Sequence, residues 1–390
     1  MENKKENPGK ANSTPAGGDD RTKWQPIEWV GLILFIAFLA CIFFAHEQFS
    51  GAFNAMFARA YKMFDFYLFG TSMLGATIVV SIMTGRILER LGFTDALMRI
   101  FLPIMKYLKI NAAVCVGIIY NILGDVNAAG RIAGPVVMKS GCTKDEQKIA
   151  IATLTNAPCS FSIIVLGIIA LSASGINPFP VMIVGIFLPI FIVPAFLRLF
   201  WRDTHAADIH DLPRFTPDTG AMDLIFGSAR EGVSIVLTVI LPAGCAVFTI
   251  VGLLEYFGIW GAIVSGLGGV LSAIGIEPET GIQTITVAGT LATKTLGTMV
   301  AGPTADAAAG ALYATLADPN VKKLIVGSFI LANSSWPIQI PLGQIPAVWS
   351  GVVDLKTREI MTSALIGCFI RLVYAAICAQ LFGLYFAAVA

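Results

Sequence analysis

Long apolar runs alternate with short polar or glycine-rich breaks from residue 27 to the end of the chain. A bilayer-spanning helix needs roughly 20 apolar residues. Runs of that length cover about 27–46, 66–86, 147–174, 178–201, 230–254, 322–349 and 360–387, and each predicts a transmembrane helix. Two further stretches, about 110–138 and 280–317, are apolar but rich in Gly, Pro, Thr and Asn. Each predicts a re-entrant hairpin. The moderately amphipathic pieces 87–107 and 256–275 are expected along the interface. The pattern therefore predicts an all-α polytopic membrane protein with seven spans and two hairpins.

Residues 1–26 form a polar lead-in without the apolar core of a cleaved signal. They read as a disordered cytoplasmic tail, and Trp24 and Trp29 fall where an aromatic belt would lie. Residues 27–65 hold the first span and an outer segment.

Composition agrees with the pattern. The chain of 390 residues is 56% apolar and 13% charged, where soluble domains carry about 25% charge. Its mean hydropathy is +0.77. A soluble enzyme, a secreted disulfide scaffold and a disordered regulator are all excluded. The net charge of +1 provides no field for nucleic acid. The 7 cysteines lie singly, with no CxxC pair, so neither a zinc cage nor a disulfide framework is indicated. No cofactor motif and no catalytic motif is present. The lipid bilayer is the one partner that composition names.

Basic residues orient the spans. With the N-terminus in the cytoplasm and both hairpins returning to the side they entered, 19 of the 26 Lys and Arg lie on the cytoplasmic side. Only Arg59, Lys62, Lys322 and Lys323 lie outside, and Arg131, Lys294 and Arg371 fall within membrane segments. The C-terminus is then outside, in the inner membrane of a bacterium.

The chain repeats itself. "ILERLGFTDAL" at 87–97 matches "LLEYFGIWGAI" at 253–263, 166 residues on. "RIAGP" at 131–135 matches "MVAGP" at 299–303, and "TLTNAPCSFSI" at 153–163 matches "ILANSSWPIQI" at 330–340. Three matches in one order predict two units, 66–201 and 230–390, joined by a cytoplasmic linker at 202–229. Each unit makes three crossings, an odd number, so the second copy is inverted relative to the first.

Polar residues inside the membrane carry the functional signal. The broken spans "LTNAPCSFS" at 154–162 and "LANSSWPIQIP" at 331–341 place Asn, Ser, Cys and Pro mid-span at equivalent positions. Proline removes a donor and breaks the helix, which frees carbonyls and amides for a ligand. Asn156, Cys159, Ser160, Asn333, Ser334, Ser335 and Gln339 are the candidate substrate contacts, expected to converge on one polar cavity. Asn127 and Thr295, on the two hairpins, are expected to close it from opposite faces. Asp125, Arg131, Lys294 and Asp306 are candidate gating or ion-coupling groups. The alternative is a pair of proline kinks with self-satisfied polar groups, and for Asp125 and Arg131 a neutralising pair at a hairpin tip.

The strings "GFTDAL…NAAGRIAGP…LTNAPCS" and their second copy make 87–163 and 253–340 resemble the Gate, or nucleoside-recognition, domain. Concentrative nucleoside transporters, the membrane part of ferrous-iron transporters and spore-maturation membrane proteins share it. The resemblance implies two inverted units, each with a re-entrant hairpin and an unwound helix, and binding near the midplane. Pro158–Cys159 is similar to the Pro-Cys step of ferrous-iron transporters, but the second copy has Trp336–Pro337 and the chain carries no GTP-hydrolysing motif. The expected function is secondary transport of a small, nucleoside-like solute by alternating access. Metal-ion permeation through Cys159, Asp125 and Asp306, or a non-transporting partner role, stay open. A coupling cation and self-association stay open as well.

Overall fold

The computed structural model describes residues 24–64, 68, 74–158, 161–207, 214, 216, 218–286, 289–301 and 315–389. Among these residues the chain is helical, without strands. It divides into two units, Met1–Asn54 and Ala55–Ala390.

In the first unit, α1 (Pro26–Phe44) opens with Pro26 at its first position and a Gln25/Glu28 capping box. None of its residues is buried. Helix α2 (His46–Phe64) runs from this unit into the second. The outer segment expected there is thus helical. Its apolar residues are interleaved with Glu47, Asn54, Arg59 and Lys62, which hides it from a search for uniform apolar runs.

The second unit continues with α3 (Leu74–Arg90), α4 (Phe93–Tyr107), a tight turn at Ala112–Cys115, α5 (Val116–Leu123), α6 (Val126–Lys139), α7 (Lys144–Leu154) and α8 (Phe161–Ala173). Then come α9 (Pro178–Leu197), the long α10 (Ala221–Tyr256), α11 (Ile259–Ile274), α12 (Pro278–Thr286), α13 (Gly289–Ala301), α14 (Pro319–Ala332), α15 (Ile345–Trp349) and α16 (Thr357–Val389). A π turn, Ile340–Gln344, precedes α15.

Among the described residues α1, α9, α10 and α16 are long and apolar enough to cross a membrane, and α4 with Ala112–Leu123, one pair bent by 119°, is a fifth candidate. The outer surface of α16 carries exposed Phe369, Val373, Ile377, Leu381 and Leu384. Apolar side chains turned outward over several helical turns are matched to lipid, not to water. The protein is membrane-embedded.

The helices that lead into the breaks are buried over the turns that precede them. Ile149, Ile151 and Leu154 of α7, and Ile325 to Leu331 of α14, are fully buried or nearly so. Both helices start polar and end in turns that are apolar on all sides, and such turns pack inside a bundle. The polar residues that follow α7 and α14 are therefore delivered to the interior.

Local geometry recurs at the spacing of the sequence matches. Gly92 and Gly258 take left-handed backbone (φ 79° and 73°), and each turns one helix into the next. A side chain is strained there, so glycine fits. Glu89 is held by Arg86, and its equivalent Glu255 by Arg59. After α4 and α11 the chain makes the same turn, closed by Ile110 N–H to Met105 O at 3.0 Å and Ile276 N–H to Leu271 O at 2.9 Å. The arms α5 and α6 pack on each other, as do α12 and α13. Helix α6 packs on α15, which follows the second break, while α13 packs on α8, which follows the first.

Helix α7 starts in a capping box, Thr143 with Glu146. The fully buried Glu146 carboxylate also accepts the Asn111 and His205 amides, at 2.9 and 3.0 Å, and meets the His205 ring. In the preceding loop, burial and then the Glu146 charge push the Cys142 thiol well above its ordinary value, which keeps it protonated and unreactive.

Candidate functional site

Helix α7 ends at Leu154 and α14 at Ala332, each followed by asparagine within two residues. At both breaks the asparagine folds back in the same way. Asn156 Nδ2 donates to Ala152 O at 2.8 Å, and Asn333 Nδ2 donates to Phe329 O at 2.8 Å. Both bonds reach back four residues, from positions that the sequence match makes equivalent. The acceptors are carbonyl oxygens, which cannot donate, so the orientation of both amides is fixed by chemistry.

The breaks touch. Ser335 N–H donates to Thr155 O at 3.0 Å, and Ser335 Oγ to Ala157 O at 3.4 Å. Asn121, on α5, joins them by donating to Leu154 O (3.0 Å) and Ser335 Oγ (3.2 Å). Thr155, Asn156, Asn333, Ser334 and Ser335 are all fully buried, and Gln339 is 1% exposed. Ser334 bonds within its own turn, to Leu331 O.

Helix α16 passes both breaks. Gly367 O accepts Asn156 Nδ2 at 3.2 Å, Cys368 Sγ lies 3.5 Å from Ser335 O, and Arg371 reaches the second break. Arg371 is fully buried and faces no carboxylate among the described residues. Its guanidinium donates to Ile330 O (2.9 Å), Asn333 O (2.7 Å) and Gly185 O (2.7 Å). Two of these carbonyls belong to the end of α14, where the helix dipole is negative. The charge is met by backbone dipoles.

Four side-chain amides share one pattern. The NH₂ groups of Asn121, Asn127, Asn156 and Asn333 are engaged by protein oxygens, while each Oδ1 is buried without a partner among the described residues. Buried polar atoms are usually paired, and an unpaired one costs about 1–3 kcal/mol. An amide oxygen so placed can accept from a buried water or from a bound group that donates hydrogen bonds or carries positive charge.

The expected site residues fall in different places. Asn156, Asn333, Ser334 and Ser335 come together with Asn121. Asn127 joins the stretch after the second break, through Nδ2 to Gln344 Oε1 at 3.1 Å. Thr295 lies in the second pair of arms, donating to Gln283 Oε1 at 2.8 Å. Asp125 caps α6, accepting from the Asn127 and Ala128 amides at 2.8 and 3.3 Å. Arg131 forms no ion pair with it, because six residues turn a helix by about 240° beyond a full turn. Cys159, Ser160 and Asp306, and the side chain of Lys294, lie outside the described residues. Among the described residues no three His, Cys, Asp or Glu side chains group as a metal site.

Sequence reasoning placed Arg371 inside the membrane without giving it a role. The signal was a single arginine within the apolar run 360–387. Comparison with family models, curated proteins and solved structures finds no match to this chain.

Proposed function

We propose that this chain is a secondary transporter of a small polar solute, working by alternating access around the two helix breaks. The observation that carries the reading is the matched pair Asn156 and Asn333, with the same back-bond and the same unpaired oxygen at repeat-equivalent positions. In this reading units 66–201 and 230–390 are inverted copies, and the arms α5–α6 and α12–α13 are re-entrant hairpins. With seven spans the two termini lie on opposite sides, and the bias of basic residues supports an N-terminus in the cytoplasm of a bacterial cell. The exchange of packing partners between hairpins and post-break helices supports it, because a two-fold relation gives such an exchange. The Gate resemblance supports it too.

The chemistry of the breaks narrows the solute. It must present donors to amide oxygens, as the hydroxyl and amino groups of a nucleoside do. Trp336, beside the second break, is half-buried against the core with its indole N–H unpartnered among the described residues, and an indole ring is the type of group that stacks on a base. A cation is favoured by the same oxygens and by the negative end of α7, so a coupling cation fits there.

The test is thermal unfolding of the purified protein against nucleosides, amino acids, alkali cations and divalent metals. The parent is expected to be stabilised by one of these solutes. Asn156→Ala and Asn333→Ala should each fold and bind it roughly 5- to 150-fold more weakly, as expected for a lost buried partner. Unchanged binding in both variants would leave the breaks as simple kinks and remove the proposal's support.

A further inference from the structure

Independently of what the breaks bind, we infer that α9 and α16 together hold one anionic phospholipid. Between them runs a cavity of about 310 Å³ lined by Ile192, Phe196, Phe369, Val373 and Ile377 among others. The one polar group on its wall, the Tyr374 hydroxyl, is turned away to donate to Val184 O. At the end of α9 and in the turn that follows it lies a second depression of about 340 Å³, lined by Ala195, Arg198, Leu199 and Arg202.

The two arginines are held but not neutralised. Arg198 Nε donates to Thr204 Oγ1 at 3.1 Å, and Arg202 Nε donates to Leu199 O at 3.1 Å. Among the described residues neither meets a carboxylate, and the Nη groups of both have no protein partner. Leu199 and Phe200, exposed at 63% and 68%, and the half-buried Trp201 lie beside them. Beyond the apolar groove the chain leaves α9 through Arg198, the apolar and aromatic Leu199–Trp201 and Arg202, so aromatic rings and guanidiniums lie together past the groove's end. Aromatic and basic side chains of this kind sit at the interface and headgroup level of a leaflet, next to an apolar surface at acyl-chain depth. A guanidinium fork fits phosphate oxygens in a bidentate manner, and unpaired basic residues at a membrane edge attract anionic headgroups. A free phosphate would use the arginines but leave the groove without purpose, so the occupant is a lipid.

Native mass spectrometry of the full chain in detergent tests this with phosphatidylglycerol, phosphatidylcholine or inorganic phosphate added. The parent should retain phosphatidylglycerol in preference to phosphatidylcholine. The surface double variant Arg198→Gln/Arg202→Gln should retain it about 10-fold less. Val373→Trp, which fills the groove and leaves both arginines, should also release it. Equal retention by the parent and the arginine variant overturns the inference. So does displacement of the lipid by inorganic phosphate at the same concentration.

Discussion

The Arg371→Met variant is expected to lose about 3 kcal/mol or more of stability in detergent, the largest effect of any single exposed or buried charge removed from this protein. Methionine preserves most of the volume but none of the donors. Three carbonyls, Gly185 O, Ile330 O and Asn333 O, now bonded at 2.7–2.9 Å, would be left in an apolar interior. Removing a buried charge relieves its desolvation, an opposing effect. Against that relief stand three carbonyls left without their donor, each costing about 1–3 kcal/mol, two of them at the negative end of α14. Arg371→Lys keeps the charge but cannot span three acceptors from one planar group, so it should fall between parent and methionine variant. Chemical or thermal unfolding of the three proteins gives the ranking. Equal stability of parent and Arg371→Met would mean that the second break is held by other contacts.

Gly367→Ala should be nearly as damaging, by a different route. A Cβ at that position would lie 2.2 Å from both Ala152 O and Thr155 Oγ1, and 2.7 Å from Ala152 Cα. Two of these atoms are backbone, which cannot turn aside as a flexible side chain would. Helix α16 must move away from α7, which strains the bond from Asn156 to Gly367 O. Overpacking of this kind costs typically about 1–3 kcal/mol. The unfolding midpoint should fall, and solute binding at the first break should fall with it. Gly266→Ala, on α11 with open space around the new methyl group, is the control that should leave both unchanged.

Much of this arrangement was legible in the sequence because apolar runs and their interruptions are local signals. The breaks at 155–158 and 333–337 showed as Asn, Ser and Pro inside otherwise apolar segments, and the helices stop there. Glycines 92 and 258 were already aligned by the internal match, and both take the same left-handed turn. Other features depend on direction or on distant partners, which a linear pattern does not carry. Asp125 and Arg131 have opposite charge, yet helical rotation sends them apart and the carboxylate serves as a cap. Arg371 gathers carbonyls from positions 185, 330 and 333, and backbone acceptors have no residue type to betray them. Asn121 was visible as a polar residue in the first apolar stretch, but its link to Ser335 spans 214 residues. Helix α2 escaped because amphipathic spacing, not uniform apolarity, defines it.

The proposed opposite orientation of the repeats 66–201 and 230–390 is tested most directly at Lys106 and Ser272. Both are exposed in the last turns of α4 and α11, 166 residues apart, on helices that enter and leave through the same turns. Lys106→Cys and Ser272→Cys, each on a background without native cysteines, are exposed to a membrane-impermeant maleimide in sealed vesicles of either orientation. Inverted units require Lys106→Cys to label only from the cytoplasmic face and Ser272→Cys only from the opposite face. Labelling of both from one face would contradict the inversion, and with it the meeting of Asn156 and Asn333 at a two-fold axis.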